Sequence, residues 1–170
     1  MQSSASMKRR TALVAVLVLL VLAHPLPGQV QAPWFGTWSL NLSKSSQTTQ
    51  PARYKRVTSR IEPLGDGLKV TYDMVGTRGG VTHWEWTGKF DTMDYPVQGV
   101  DTVLTNAYRR IDDKSYEIVV KIDGTIAAVS RVTVSPDGNT LNVETEERLA
   151  GAPGAPGGRT ANTTAVYERR

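Results

Sequence analysis

The chain has no cysteine in its 170 residues. That excludes a disulfide framework, a thiol nucleophile, a thiolate metal site and a lipid-modified cysteine. Histidine is nearly missing too, with His24 and His83 the only two. No block of like charges suggests a basic arm or acidic tail. Beyond the first thirty or so residues no amphipathic helical periodicity of useful length occurs, so a helical bundle and an alternating α/β fold are both set aside. A domain without disulfides must stand on its hydrophobic core alone. About 138 residues can do so, since a domain of that size buries roughly two-thirds of its unfolded surface.

What is present begins with an export pattern. Lys8, Arg9 and Arg10 precede an uncharged apolar run at residues 11–23 (TALVAVLVLLVLA), and His24, Pro25, Pro27 and Gly28 then break any helix. About a dozen apolar residues suit the core of a signal peptide, whereas a membrane span needs about 20. The pattern predicts a signal-peptide helix within residues 1–32, cleaved after Ala23 or after Ala32, with an uncleaved anchor as the rival reading. Met1 or Met7 can be the start. The expected location is secreted or periplasmic, with membrane contact only through the signal segment. Loss of the three basic residues takes Lys plus Arg from 20 to 17 against 16 Asp plus Glu, a net charge of +1. So balanced a chain lacks the field of a nucleic-acid binder.

From Trp34 onward the chain alternates apolar and polar residues in nine short runs separated by turns. Leu68, Val70, Tyr72 and Met74 share one face of their run, with Lys69, Thr71 and Asp73 on the other. Trp84, Trp86 and Phe90 oppose His83, Glu85 and Lys89. Period-2 alternation implies a dry and a wet face for each strand. Asp123-Gly124 marks a two-residue hairpin whose central residues need positive φ. Residues 43–50 (SKSSQTTQ), 91–99 (DTMDYPVQG) and 150–158 (AGAPGAPGG) read as loops. Sequential hairpins favour a meander, and a meander of many strands loses its exposed edges by closing on itself. The expected fold is therefore all-β, an antiparallel up-and-down barrel of 8–10 strands spanning residues 33–170, with a two-sheet sandwich as the alternative.

Two segments carry a family likeness. Phe35-Gly36-Thr37-Trp38-Ser39-Leu40 resembles the opening strand of the calycin barrels: lipocalins, fatty-acid-binding proteins and avidins. The tail Thr164-Ala165-Val166-Tyr167-Glu168-Arg169 resembles the closing strand of fatty-acid-binding proteins. Asp123-Gly124, followed seven residues later by Arg131, is similar in spacing to the hairpin that brings a buried Arg into that family's cavity. The chain differs in having Ala165 where that family places a second Arg, and residues 43–50 where it has a two-helix lid. The overall pattern also resembles exported bacterial lipocalin-like proteins. The resemblance implies a barrel with Gly36 and Trp38 as a plug at one end and a ligand inside.

Each candidate group has two readings. Arg131 interrupts an apolar strand and, with Tyr167, could hold an anionic headgroup; alternatively it faces solvent. Trp84, Trp86, Tyr72 and Phe90 either line a ligand cavity or fill the core. His83 alternates onto the wet side, away from any triad, and with Glu85 offers only two metal ligands. Glu144, Glu146 and Glu147 split across two faces, and residues 151–158 lack the Lys-Ser/Thr and helix of a phosphate loop. No catalytic residue, metal or cofactor is expected. The function expected is an exported barrel that binds a small hydrophobic or amphipathic ligand. The alternative is an interaction or inhibitor module of the cell envelope, acting on a protein through its loops.

Overall fold

The computed structural model describes residues 31–46, 54–149 and 159–170. The expected signal helix, the second half of the polar stretch 43–50 and the Gly/Pro/Ala-rich 150–158 lie outside the described residues. Ten strands follow: β1 (Gly36–Leu40), β2 (Tyr54–Leu64), β3 (Gly67–Gly76), β4 (Val81–Gly88), β5 (Tyr95–Gln98), β6 (Leu104–Arg110), β7 (Ser115–Ile122), β8 (Thr125–Val134), β9 (Thr140–Leu149) and β10 (Arg159–Arg169). Each pairs antiparallel with the next, and β1 pairs with β10, so the meander closes into a barrel. This is the all-β meander that the alternation predicts, and its architecture is calycin-like.

The turns obey their local chemistry. Asp123 and Gly124 take φ of 49° and 76° between β7 and β8, the two positive values that this hairpin requires. The strand that sequence reading misses is β5, within the supposed loop 91–99. Pro96 sits at its centre and reads as a strand breaker. It is tolerated because β5 is only four residues long and pairs with β6 at just Tyr95↔Asn106 and Pro96↔Thr105, where a missing N–H costs little. Its other neighbour, β4, it meets only at Glu85↔Gln98 and Trp86↔Val97. The barrel wall is thinnest there, beside the first half of β4.

The two ends of the barrel differ. At the end where β1 starts, aromatic rings stack without gaps. Trp86 lies on Tyr108 (3.9 Å between centroids), Tyr108 on Tyr116 (5.5 Å), and Trp34 against Tyr116 and Phe90 (5.4 and 5.5 Å). Leu68, Val70, Val132 and Val134 pack below them, fully buried. Rings of this size bury 150–250 Å² each, so this half supplies most of the core.

Trp38 completes the closed end. It is wholly buried, and its Nε1 donates to the Trp34 carbonyl (2.9 Å). The Arg169 guanidinium covers its ring at 4.3 Å, a favourable cation–π placement. Arg169 also donates from Nε to Gly138 O (2.7 Å), from Nη1 to Phe35 O (2.9 Å) and from Nη2 to Pro33 O (2.5 Å). One side chain from the last strand thus ties down the first strand's entry and the β8–β9 turn. Gly36 makes room for it. Its φ is +142°, and a Cβ there would lie 2.5 Å from Arg169 Nη1. Replacing Arg169 by Ala should therefore lower the unfolding free energy by about 2 kcal/mol. Gly36→Ala should cost about as much. Because both act through one contact, the double variant should lose less than the sum of the singles. Urea denaturation of the four proteins measures this, and strict additivity would count against the contact.

Candidate functional site

The candidate site is the half of the barrel opposite the plug, where inward side chains are less buried and in that sense the open half. Alternation and register put Tyr72 and Met74 of β3, Trp84 of β4, Ile118 of β7, Val143 of β9 and Ala165 of β10 on the inner face. All six are partly buried and pack against the edge of the hydrophobic core. Trp84 stands on the first half of β4, beside the thin stretch of wall. It stacks on Tyr72 with centroids 4.3 Å apart and planes 21° from parallel.

Polar groups converge between these apolar walls. Ser59 of β2 lies in register with Trp38 on one side and Tyr72 on the other. The Tyr72 phenol interacts with Ser59 and with the phenol of Tyr167, while burial pushes its pKa up. Tyr167, 8% exposed, is raised well above the ordinary tyrosine value, chiefly by burial and then by Tyr72. These phenols stay protonated at neutral pH and act as neutral donors. Asn106 of β6 faces inward from another part of the wall, on the same face as Tyr108. Ser130 and Thr145 share a hydrogen bond across β8 and β9 (2.8 Å). Ser59 Oγ and Asn106 Oδ1 are buried without a full hydrogen bond.

The residues singled out in the sequence are thereby divided. Tyr72, Trp84 and Tyr167 come together at the open half. Trp86 and Phe90 do not join them, being drawn into the closed-end aromatic stack, where Trp86 is 1% exposed. Arg131 is corrected more sharply. It is exposed on the outer face, in register with Glu117 on one neighbour and Glu144 on the other, because Ser130 and Val132 take the inward positions beside it. Gly36 and Trp38 lie at the plug. Sequence reading overlooked Ser59, Asn106 and Arg169. Ser59 had a signal, since it keeps phase with Val57 and Ile61; Arg169 had none, because its role depends on β10 lying beside β1.

The conspicuous charge cluster is on the outside. His83 Nδ1 meets Asp73 Oδ1 at 2.8 Å, His83 Nε2 lies 3.5 Å from Glu85, and Lys69 pairs with Glu85 at 2.8 Å. All four side chains reach solvent, and among the described residues no three possible metal ligands gather as a site. Asp73, then Glu85, hold the His83 pKa above its usual value of 6.5. A raised folded-state pKa contributes stability that is complete below the unfolded value and lost as pH rises through the folded one. The effect should be small at so exposed a pair. NMR titration should place His83 above 6.5, and Asp73→Asn should lower it; no change in that variant would refute the assignment.

Neither a model of a known protein family nor a curated protein matches the chain. The architecture defines the class, a closed ten-stranded antiparallel barrel of calycin-like form.

Proposed function

We propose that the protein is an exported binder of one small apolar or amphipathic molecule, taken up in the open half of the barrel. One observation carries this reading. Side chains that point into a closed barrel, yet are only partly buried, border space at the mouth rather than outer surface. The border is apolar and aromatic with a few inward polar groups, the usual composition of a small-molecule site. Ten strands also enclose more room than the eight whose interior side chains can just fill. Here the inward positions of the open half include Ala128, Ser130, Thr145 and Ala165, all small side chains.

Export is the second part of the reading, supported by the basic and apolar pattern of residues 8–23. Of the two cleavage positions, Ala23 fits the fold better. The Ala32 carbonyl accepts a hydrogen bond from Phe35 N (3.0 Å), and Ala32 packs against the core. Cleavage after Ala32 would strip this contact from the turn that seats Trp34. N-terminal sequencing of the protein recovered outside the cytoplasm should therefore give a start upstream of Ala32, and a start at Pro33 would contradict this.

Binding is testable through Trp84, whose emission a ligand in the open half must alter. Titration of the purified exported protein with a panel of apolar and amphipathic molecules should change tryptophan fluorescence saturably. Trp84→Ala should remove most of that response and weaken binding about tenfold, while the plug variant Arg169→Ala should affect stability instead. If no member of the panel perturbs the emission, the reading fails. A protein-contact role through the mouth has one observation in its favour: Val81, Val103 and Ile122 are exposed there by 74%, 67% and 42%.

A further inference from the structure

We propose that the interior site selects an uncharged headgroup carrying a hydrogen-bond donor, a hydroxyl or primary amide, and discriminates against a carboxylate. This rests on the binding reading above and adds the chemical class of the ligand. The inference begins with two buried polar groups, one of them touched only by the Tyr72 phenol. Ser59 and Asn106 are 3% and 5% exposed, both stand in inward register, and Ser59 Oγ and Asn106 Oδ1 have no full hydrogen bond. Buried polar atoms in a folded protein ordinarily find partners. An amide oxygen can only accept, so its missing partner is a donor. The phenols of Tyr72 and Tyr167, close to Ser59, can in turn donate to an oxygen.

Charge separates the candidates further. Arg110 and Arg169 follow the inward register of β6 and β10, but both are committed to the closed end. Arg110 lies over Trp34 at 5.4 Å and donates to Asp113 (2.7 Å); Arg169 lies over Trp38 and holds three carbonyls. Among the described residues no Lys, Arg or His is buried beside Ser59, Tyr72, Tyr167 and Asn106. In the open half Glu147 follows the inward register, half-buried between Ala128 and Ala161, and Arg159 follows it at the rim, opposite Leu149. A carboxylate ligand would leave water for buried groups with no buried cation beside them and would face Asn106 Oδ1 and Glu147, all unfavourable. A hydroxyl or amide meets the same atoms with a donor.

Three probes with one decyl or decanoyl chain isolate the headgroup: decan-1-ol, methyl decanoate and decanoate, titrated against the exported protein at neutral pH. The alcohol should bind at least about tenfold more tightly than either of the others. The ester controls for polarity, because it is uncharged and apolar but has no donor. Asn106→Leu should reduce the alcohol's advantage over the ester about tenfold or more, and Ser59→Ala should reduce it in the same direction. If Asn106→Leu does not fold, the wild-type ranking and Ser59→Ala decide. Decanoate binding as tightly as the alcohol overturns the proposal and leaves the binding reading intact. So does an ester that matches the alcohol. Failure of all three probes to bind overturns both.

Discussion

The whole structure depends on the closing of a sheet whose two edge strands are the first and last in the chain. β1 is only five residues long and meets β10 at three register pairs, so backbone bonding alone ties it weakly. The seam is reinforced by side chains. Trp38 fills the barrel end beneath it, Arg169 crosses it to cover the ring and gather three carbonyls, and Gly36 leaves the space for that crossing. Residues 41–46 extend the seam, where Asn41 N and Ser46 N donate to Val166 and Thr164 of β10 (2.8 Å each). Without this closure two sheet edges would present unpaired backbone to solvent and to other chains.

Closure creates an interior of fixed width, and side-chain volume then decides which part of it is solid. At the plug end, indole and phenol rings from β4, β6 and β7 stack across the barrel to meet Trp34 and Trp38. Toward the mouth, alanine, serine and threonine replace them on β8, β9 and β10. The same ten strands therefore carry large packed rings at one end and small side chains toward the other. On the proposed reading, stability and binding reside in different halves. This is why variants at Trp38 or Arg169 and variants at Trp84 or Asn106 should have separable effects.

The electrostatic arrangement follows the same division. Lysine and arginine pair with carboxylates on the outer face, as at Lys69–Glu85, Lys89–Asp66 and Lys121–Asp94, where water makes such pairs cheap and of little net effect. Inside, the ionisable groups are mainly tyrosines, and burial holds Tyr72, Tyr108, Tyr116 and Tyr167 above their ordinary value. On the proposed reading, buried hydrogen-bonding groups with no buried charge beside them suit a polar but uncharged partner better than an ion.

Local sequence determined the strands, the hairpins and which face of each strand is dry. Residues 54–64, 125–134 and 140–149 were legible to the residue, because alternation and turn chemistry act over two to four positions. It also separated His83 and Glu85 from the core. It could not find β5, whose proline signals a break that only a neighbouring strand makes harmless. Nor could it choose between Trp84 and Trp86, which share a face, or between Arg131 and Arg169. Alternation states whether a side chain points in or out; it does not state how far along the barrel axis that side chain lies. Height is set by the stagger of strands paired around the closed sheet, a long-range quantity. That stagger put Trp86 in the plug, Trp84 at the mouth, Ser59 beside Tyr72, and Arg169 over Trp38.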